Sequence, residues 1–115
     1  MDFSQDLVRG TVVPIVLSLL SGREMYGYEI VKVVNARTNG RLEWKEGTLY
    51  PALHRLESAG LIASRWQDAP SDEAPGRQRK YYRLTRRGRG ELARRAREWA
   101  QFSLAVNALM AGAGR

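Results

Sequence analysis

The sequence predicts a mainly α (α+β) fold, a winged helix-turn-helix with a long C-terminal dimerisation helix. Three observations carry that expectation. The stretch EGTLYPALHRLESAGLI has an amphipathic helical pattern that stops at Gly60. Two short runs rich in Ile, Trp, Tyr and Leu follow it, residues 61–67 and 78–84, on either side of the turn-forming DAPSDEAPGR. Beyond them an unbroken helical pattern runs over residues 86–110, ~37 Å of helix.

Taken in order, residues 1–10 are mostly polar and read as a frayed end, with Phe3 and Leu7 as exceptions that could fold back or reach a partner. Over 11–20 the apolar Val13, Val16, Leu17 and Leu20 keep the i, i+3, i+4, i+7 spacing of a helix with one buried face. Pro14 fits that helix if Thr11 is its N-cap, because a first turn has N–H groups without intrahelical acceptors; otherwise the helix kinks there. Ser21 and Gly22 close it. A second helix is expected over 26–38, with Ile30, Val33 and Val34 inward and Asn39 and Gly40 as the stop. The short 41–45 segment can pair as a minor strand. In the third helix, 46–59, Leu49, Ala52, Leu53, Leu56 and Ala59 share one face at 100° per residue. Pro51, His54, Arg55 and Ser58 share the other, with Thr48 and Tyr50 near the start. Strand alternation then places Lys80, Tyr82 and Leu84 opposite to Arg79, Tyr81 and Arg83. Tyr82 and Leu84 are expected to pack inward with Ile62, which obliges Lys80 to snorkel. Thr85 caps the last helix.

The length of 115 residues suits a single modest core, arranged as residues 1–85 with a C-terminal helix, 86–115, in the same compact unit. A formal charge of +7 and a pI near 10.4 point to a polyanionic partner. That charge is concentrated: residues 77–97 hold ten Arg or Lys against Glu91 alone. The absence of cysteine excludes disulfides and thiolate metal sites and permits a cytoplasmic setting. The apolar run 12–20 lacks a basic n-region and a cleavage site and is far shorter than the ~20 residues of a membrane helix, so a protein that does not enter the membrane is expected.

The outer face of the third helix offers hydroxyl, phenol, imidazole and guanidinium groups at a width that suits the major groove. Thr48, Tyr50, Pro51, His54 and Arg55 are therefore expected to face double-stranded DNA. Arg77, Arg79, Lys80 and Arg83 of the hairpin are expected to hold phosphates, contacts that position a protein without reading sequence. In the last helix Leu92, Ala96, Trp99, Ser103, Val106 and Met110 form a seam with alternating four- and three-residue spacing, widened by Phe102, Ala105 and Leu109. A seam that broad calls for a second helix, and a homodimer supplies one. Trp99 has two readings at this point: it lines a cavity together with Ala96 and Ser103, or it fills the dimer core. Nothing suggests an enzyme or a resident cofactor. His54 is the only histidine, no triad or metal-ligand grouping is present, and GAGR has no strand before it.

The segments YGYEI, EGTLYPALHRLESAGLI, Trp66 and RKYYRLT followed by Gly88 strongly resemble the PadR-type transcriptional regulators, over residues 7–110. The resemblance implies a winged helix-turn-helix that dimerises through its last helix and usually represses transcription. It also implies relief by a ligand, phenolic acids in some members and cationic drugs in others. With one helix after the wing, the chain is similar to the short subgroup, in which a tryptophan at the position of Trp99 lines a pore at the dimer interface. Two departures stand out: Pro14 alters the pocket rim, and Asp68, Asp72 and Glu73 put negative charge at the wing tip. The other class of function to weigh is a ligand- or protein-binding dimer that keeps this scaffold without specific DNA binding.

Overall fold

The computed structural model describes residues 3–70 and 76–113. Along the chain these form α1 (Gln5–Gly22), β1 (Met25–Tyr26), α2 (Gly27–Arg37), α3 (Glu46–Ser58), β2 (Ile62–Asp68), β3 (Gln78–Leu84) and α4 (Arg86–Ala113). The three strands make one antiparallel sheet in the order β1-β3-β2. Ile62 stands opposite Leu84 and Asp68 opposite Gln78, so the β2–β3 hairpin is paired along its whole length.

The first helix begins six residues earlier than the sequence pattern suggests. Ser4, not Thr11, is its N-cap, and the Thr11 hydroxyl donates instead to the Val8 carbonyl at 3.0 Å. Pro14 therefore sits in the helix interior rather than the first turn. The carbonyl it deprives of a donor is that of Gly10, at an exposed position, where water can replace the missing bond. The buried stripe is Val8, Val12, Val16, Leu17 and Leu20, with Val13 only partly covered. Residues 41–45 form no strand either. The sheet's third member is Met25–Tyr26, whose partners are Tyr82 and Tyr81, and Trp44 is instead buried in the core.

The core is built where these elements converge. Ile30 and Val34 of α2 and Leu49, Ala52, Leu53 and Leu56 of α3 meet the α1 stripe, and Ile62, Tyr82 and Leu84 close it from the sheet. Ala59 departs from the expected face: α3 ends at Ser58 and Ala59 is exposed. Here the Gly60 N–H donates to Glu57 at 3.0 Å and the Leu61 N–H to Leu56 at 3.0 Å, a Schellman ending that needs the positive φ of 77° at Gly60.

Directly beyond that ending lies a tight joint. The Thr85 hydroxyl donates toward the Gly60 and Leu61 carbonyls at 2.7 and 3.0 Å and accepts the Gly88 N–H at 3.0 Å. One threonine thus caps α4 and ties its start to the end of α3. From there α4 leaves the body of the protein. The radius of gyration is 16.4 Å, where a compact domain of this length has about 13 Å. The apolar second half of α4 is uncovered, with Phe102, Leu104, Leu109 and Met110 61–76% exposed.

Candidate nucleic-acid interface

The outer face of α3 presents Pro51, His54 and Arg55 to solvent, and Thr48 is half-buried at its start. Tyr50 differs from them. A Cβ placed on Gly27 would meet the Tyr50 hydroxyl at 2.7 Å, so its ring packs directly over the first residue of α2. Burial, followed by the nearby Glu46 charge, pushes the Tyr50 phenol up. Tyr50 therefore holds α2 against α3 while its edge still reaches the surface. The N-terminus of α2 is fixed further by Glu29, which accepts the Tyr26 N–H at 3.3 Å and pairs with Arg23 at 2.5 Å.

In the wing the expected alternation is present. Tyr82 and Leu84 are buried, while Arg77 and Arg83 are exposed. The Arg79 guanidinium lies over the Tyr26 ring at 4.2 Å, and Tyr81 meets Tyr26 edge-on at 5.6 Å. Across the outer face of the sheet Arg65 of β2 hydrogen-bonds Glu24 and holds that carboxyl below the usual carboxylate range. Lys80 points the other way, toward α3. Its ammonium is 3.5 Å from Glu57 and 5.9 and 5.7 Å from the ring centroids of Trp66 and Tyr82. Of the wing-tip acids, Asp68 accepts a hydrogen bond from Gln78 at 3.4 Å; Asp72 and Glu73 lie outside the described residues.

Between α2 and the wing runs a groove of about 750 Å³. Arg77, Arg79 and Lys80 of the wing line it together with Tyr28 and Lys32 of α2 and with Tyr50 and one acid, Glu46, of α3. Tyr28 and Lys32 are additions to the residues expected from the sequence. The signal available was the position of Tyr28 and Lys32 one helical turn apart, with the lysine 5.3 Å from the Tyr28 ring centroid. A groove with cations on both walls and hydroxyls at its edge can hold a phosphodiester backbone.

At the far end of the molecule the three residues expected around a ligand do not share one cavity. Ala96 and Trp99 line an apolar cavity of about 530 Å³ against Leu7, Pro14, Ile15 and Leu19 of α1. Ser103 faces a second, about 830 Å³, with Trp99, Phe102, Val106, Asp6 and Glu98. Trp99 is the partition between them, 52% exposed and 6.5 Å from Phe102. Pro14 lines both. Among the described residues no helix is long and apolar enough to cross a membrane, and no three metal-ligating side chains cluster.

Comparison with known proteins agrees with this architecture. The model of the transcriptional regulator PadR-like family matches residues 16–94. A protein of Lysinibacillus sphaericus is 36% identical over 107 residues, 93% of this chain and 94% of its own length. A transcriptional regulator from Clostridium thermocellum has a solved structure with TM-score 0.81 at 36% identity, covering 92% of this chain and 96% of that one. A PadR family transcriptional regulator from Eggerthella lenta follows with TM-score 0.77 at 37% identity, covering 91% and 86%. The family's members are transcriptional regulators and not enzymes. With the family model spanning most of the chain and the winged-helix architecture shared along nearly all of it, this protein belongs to the PadR-like family of transcriptional regulators.

Proposed function

We propose that the protein is a cytoplasmic repressor that binds a pseudo-palindromic operator in duplex DNA as a homodimer and releases it when a planar aromatic or cationic molecule binds beside Trp99. The observation that carries this reading is the exposed α3 face, Pro51, His54 and Arg55, set beside the basic groove of the wing. In it α3 enters the major groove, with Thr48 and the edge of Tyr50 at its leading end. Arg77, Arg79 and Arg83 hold phosphates on the flanks. Residues 1–85 act as the DNA-binding unit and 86–115 as the dimerisation helix.

Competition binding on genomic fragments tests the proposal. Selection of a palindromic site with half-sites one or two helical turns apart supports it; weak, sequence-blind binding would instead favour a ligand- or protein-binding dimer. Three wing arginines in each protomer predict that log affinity falls with log salt at a slope of about −5 for the dimer, ~0.9 for each phosphate neutralised. A flat salt response would remove the electrostatic half of the proposal.

The effector half has its own measurement. Trp99 fluorescence is titrated with a planar cation and with a phenolic acid, with Trp99→Ala as the control for background from Trp44 and Trp66. Saturable quenching by either, lost in the variant, is the expected result. If neither quenches, Trp99 is packing and the release step is wrong.

A further inference from the structure

Glu57 lies in the last turn of α3, and its carboxylate reaches both strands of the wing. One oxygen accepts the Ser64 hydroxyl of β2. The other lies 3.5 Å from the Lys80 ammonium of β3. Ser64 stands opposite Tyr82, and Lys80 opposite Trp66, so these four side chains share the sheet face that looks toward α3. At the base of the hairpin Ile62, Tyr82 and Leu84 are buried. Farther along β2 residues 65–68 are exposed, Trp66 among them. Glu57 thus ties the end of α3 to both strands of the wing beyond the buried base of the hairpin.

Lys80 and Glu57 are each about one-third exposed, so a simple surface pairing would contribute little by itself. The hydrogen bond from Ser64 to a charged acceptor changes that, because it fixes the carboxylate that the lysine meets. The placement is also costly for a protein that binds polyanions. An acid beside a basic surface repels phosphate, a cost that its pairing with Lys80 only partly offsets.

We infer that Glu57 is a positioning residue for DNA binding, setting the angle of the wing against α3, and that Lys80 acts through Glu57 rather than as a phosphate contact. This rests on α3 and the wing being the DNA-binding surface. It differs from the sequence-based expectation for Lys80, and it gives a role to an acid that stands between the exposed face of α3 and the basic wing.

The two alternatives for Glu57 move affinity in opposite directions. Removing a bystander acid tightens DNA binding, whereas removing a positioning acid weakens it. Glu57→Ala is expected to weaken binding to the selected operator about tenfold with the salt slope unchanged. Lys80→Met is expected to follow it, again without a change in slope, and the double variant should be no weaker than the weaker single one. In the free protein, amide hydrogen exchange at 63–67 and 79–81 should quicken in Glu57→Ala while α4 is unaffected. Glu57→Gln keeps an acceptor for Ser64 and serves if the alanine variant does not fold; about a threefold loss of affinity and partly quickened wing exchange are expected of it.

Tighter binding by either Glu57 variant overturns the inference. So does a fall of about 0.9 in the slope for each Lys80→Met protomer, or wing exchange that is unchanged in both Glu57 variants. The exchange measurement needs no DNA. Should the wild-type protein select no operator, the DNA reading fails while the tie between Glu57 and the wing is still decided.

Discussion

Gly88→Ala should cost the protein about 3 kcal/mol or more of stability, read as a shift in the midpoint of urea unfolding with unchanged slope. A Cβ at Gly88 would stand 2.0 Å from the Leu61 carbonyl oxygen and 2.7 Å from Leu84 Cδ1. Leucine Cδ1 can rotate away, but the carbonyl cannot: it accepts from the Thr85 N–H at 3.1 Å and from the Thr85 hydroxyl at 3.0 Å. Relief therefore means moving α4 outward and breaking the bonds that join it to the end of α3. Gly90, two residues on, is the matched control. Nothing lies within 4 Å of its would-be Cβ, so Gly90→Ala should raise stability by about 0.5–1 kcal/mol through helix propensity. If the two variants behave alike, the joint is looser than described.

In the proposed homodimer, Phe102→Asp should abolish dimerisation and reduce operator affinity at least hundredfold, while leaving the fold of each chain intact. The argument lies in its exposure. Phe102 is 61% exposed in the single chain, so a carboxylate there removes little from the protomer's own core and costs only about 0.2 kcal/mol in helix propensity. Against a partner helix, the same carboxylate is buried without a counter-ion. Sedimentation reads the assembly and far-UV circular dichroism the fold. A variant that stays dimeric would place the interface elsewhere than the seam of α4.

How much of this was legible in the sequence follows from how local each signal is. The limits of α2, α3, β3 and α4 could be read closely because each is punctuated by residues whose chemistry stops or starts an element: Asn39 and Gly40, Gly60, Thr85. The start of α1 was hidden because polar residues dominate 1–10, so that Val8 gives little periodic signal before Val12. The two-residue β1 has no pattern of its own. Its existence depends on a partner more than fifty residues away, Met25 against Tyr82, which no window along the chain contains. The same limit applies to the site. That Pro51, His54 and Arg55 are exposed follows from helical spacing. That Tyr50 rests on Gly27, that Glu57 takes Lys80, and that Trp99 divides two cavities are contacts between elements, and spacing is silent about them.

The Thr85 and Gly88 joint has a mechanical consequence for the last helix. Because the start of α4 is bonded to the carbonyls at the end of α3, the two helices turn together and α4 serves as a lever arm. Roughly 21 Å of helix separates Gly88 from Phe102. A tilt of about 10° at that radius displaces the DNA-reading helix by nearly 4 Å, about the ~3.4 Å rise of one base pair. In the proposed dimer, a molecule wedged on one side of Trp99 would need only to tilt the arm to put two half-sites out of step.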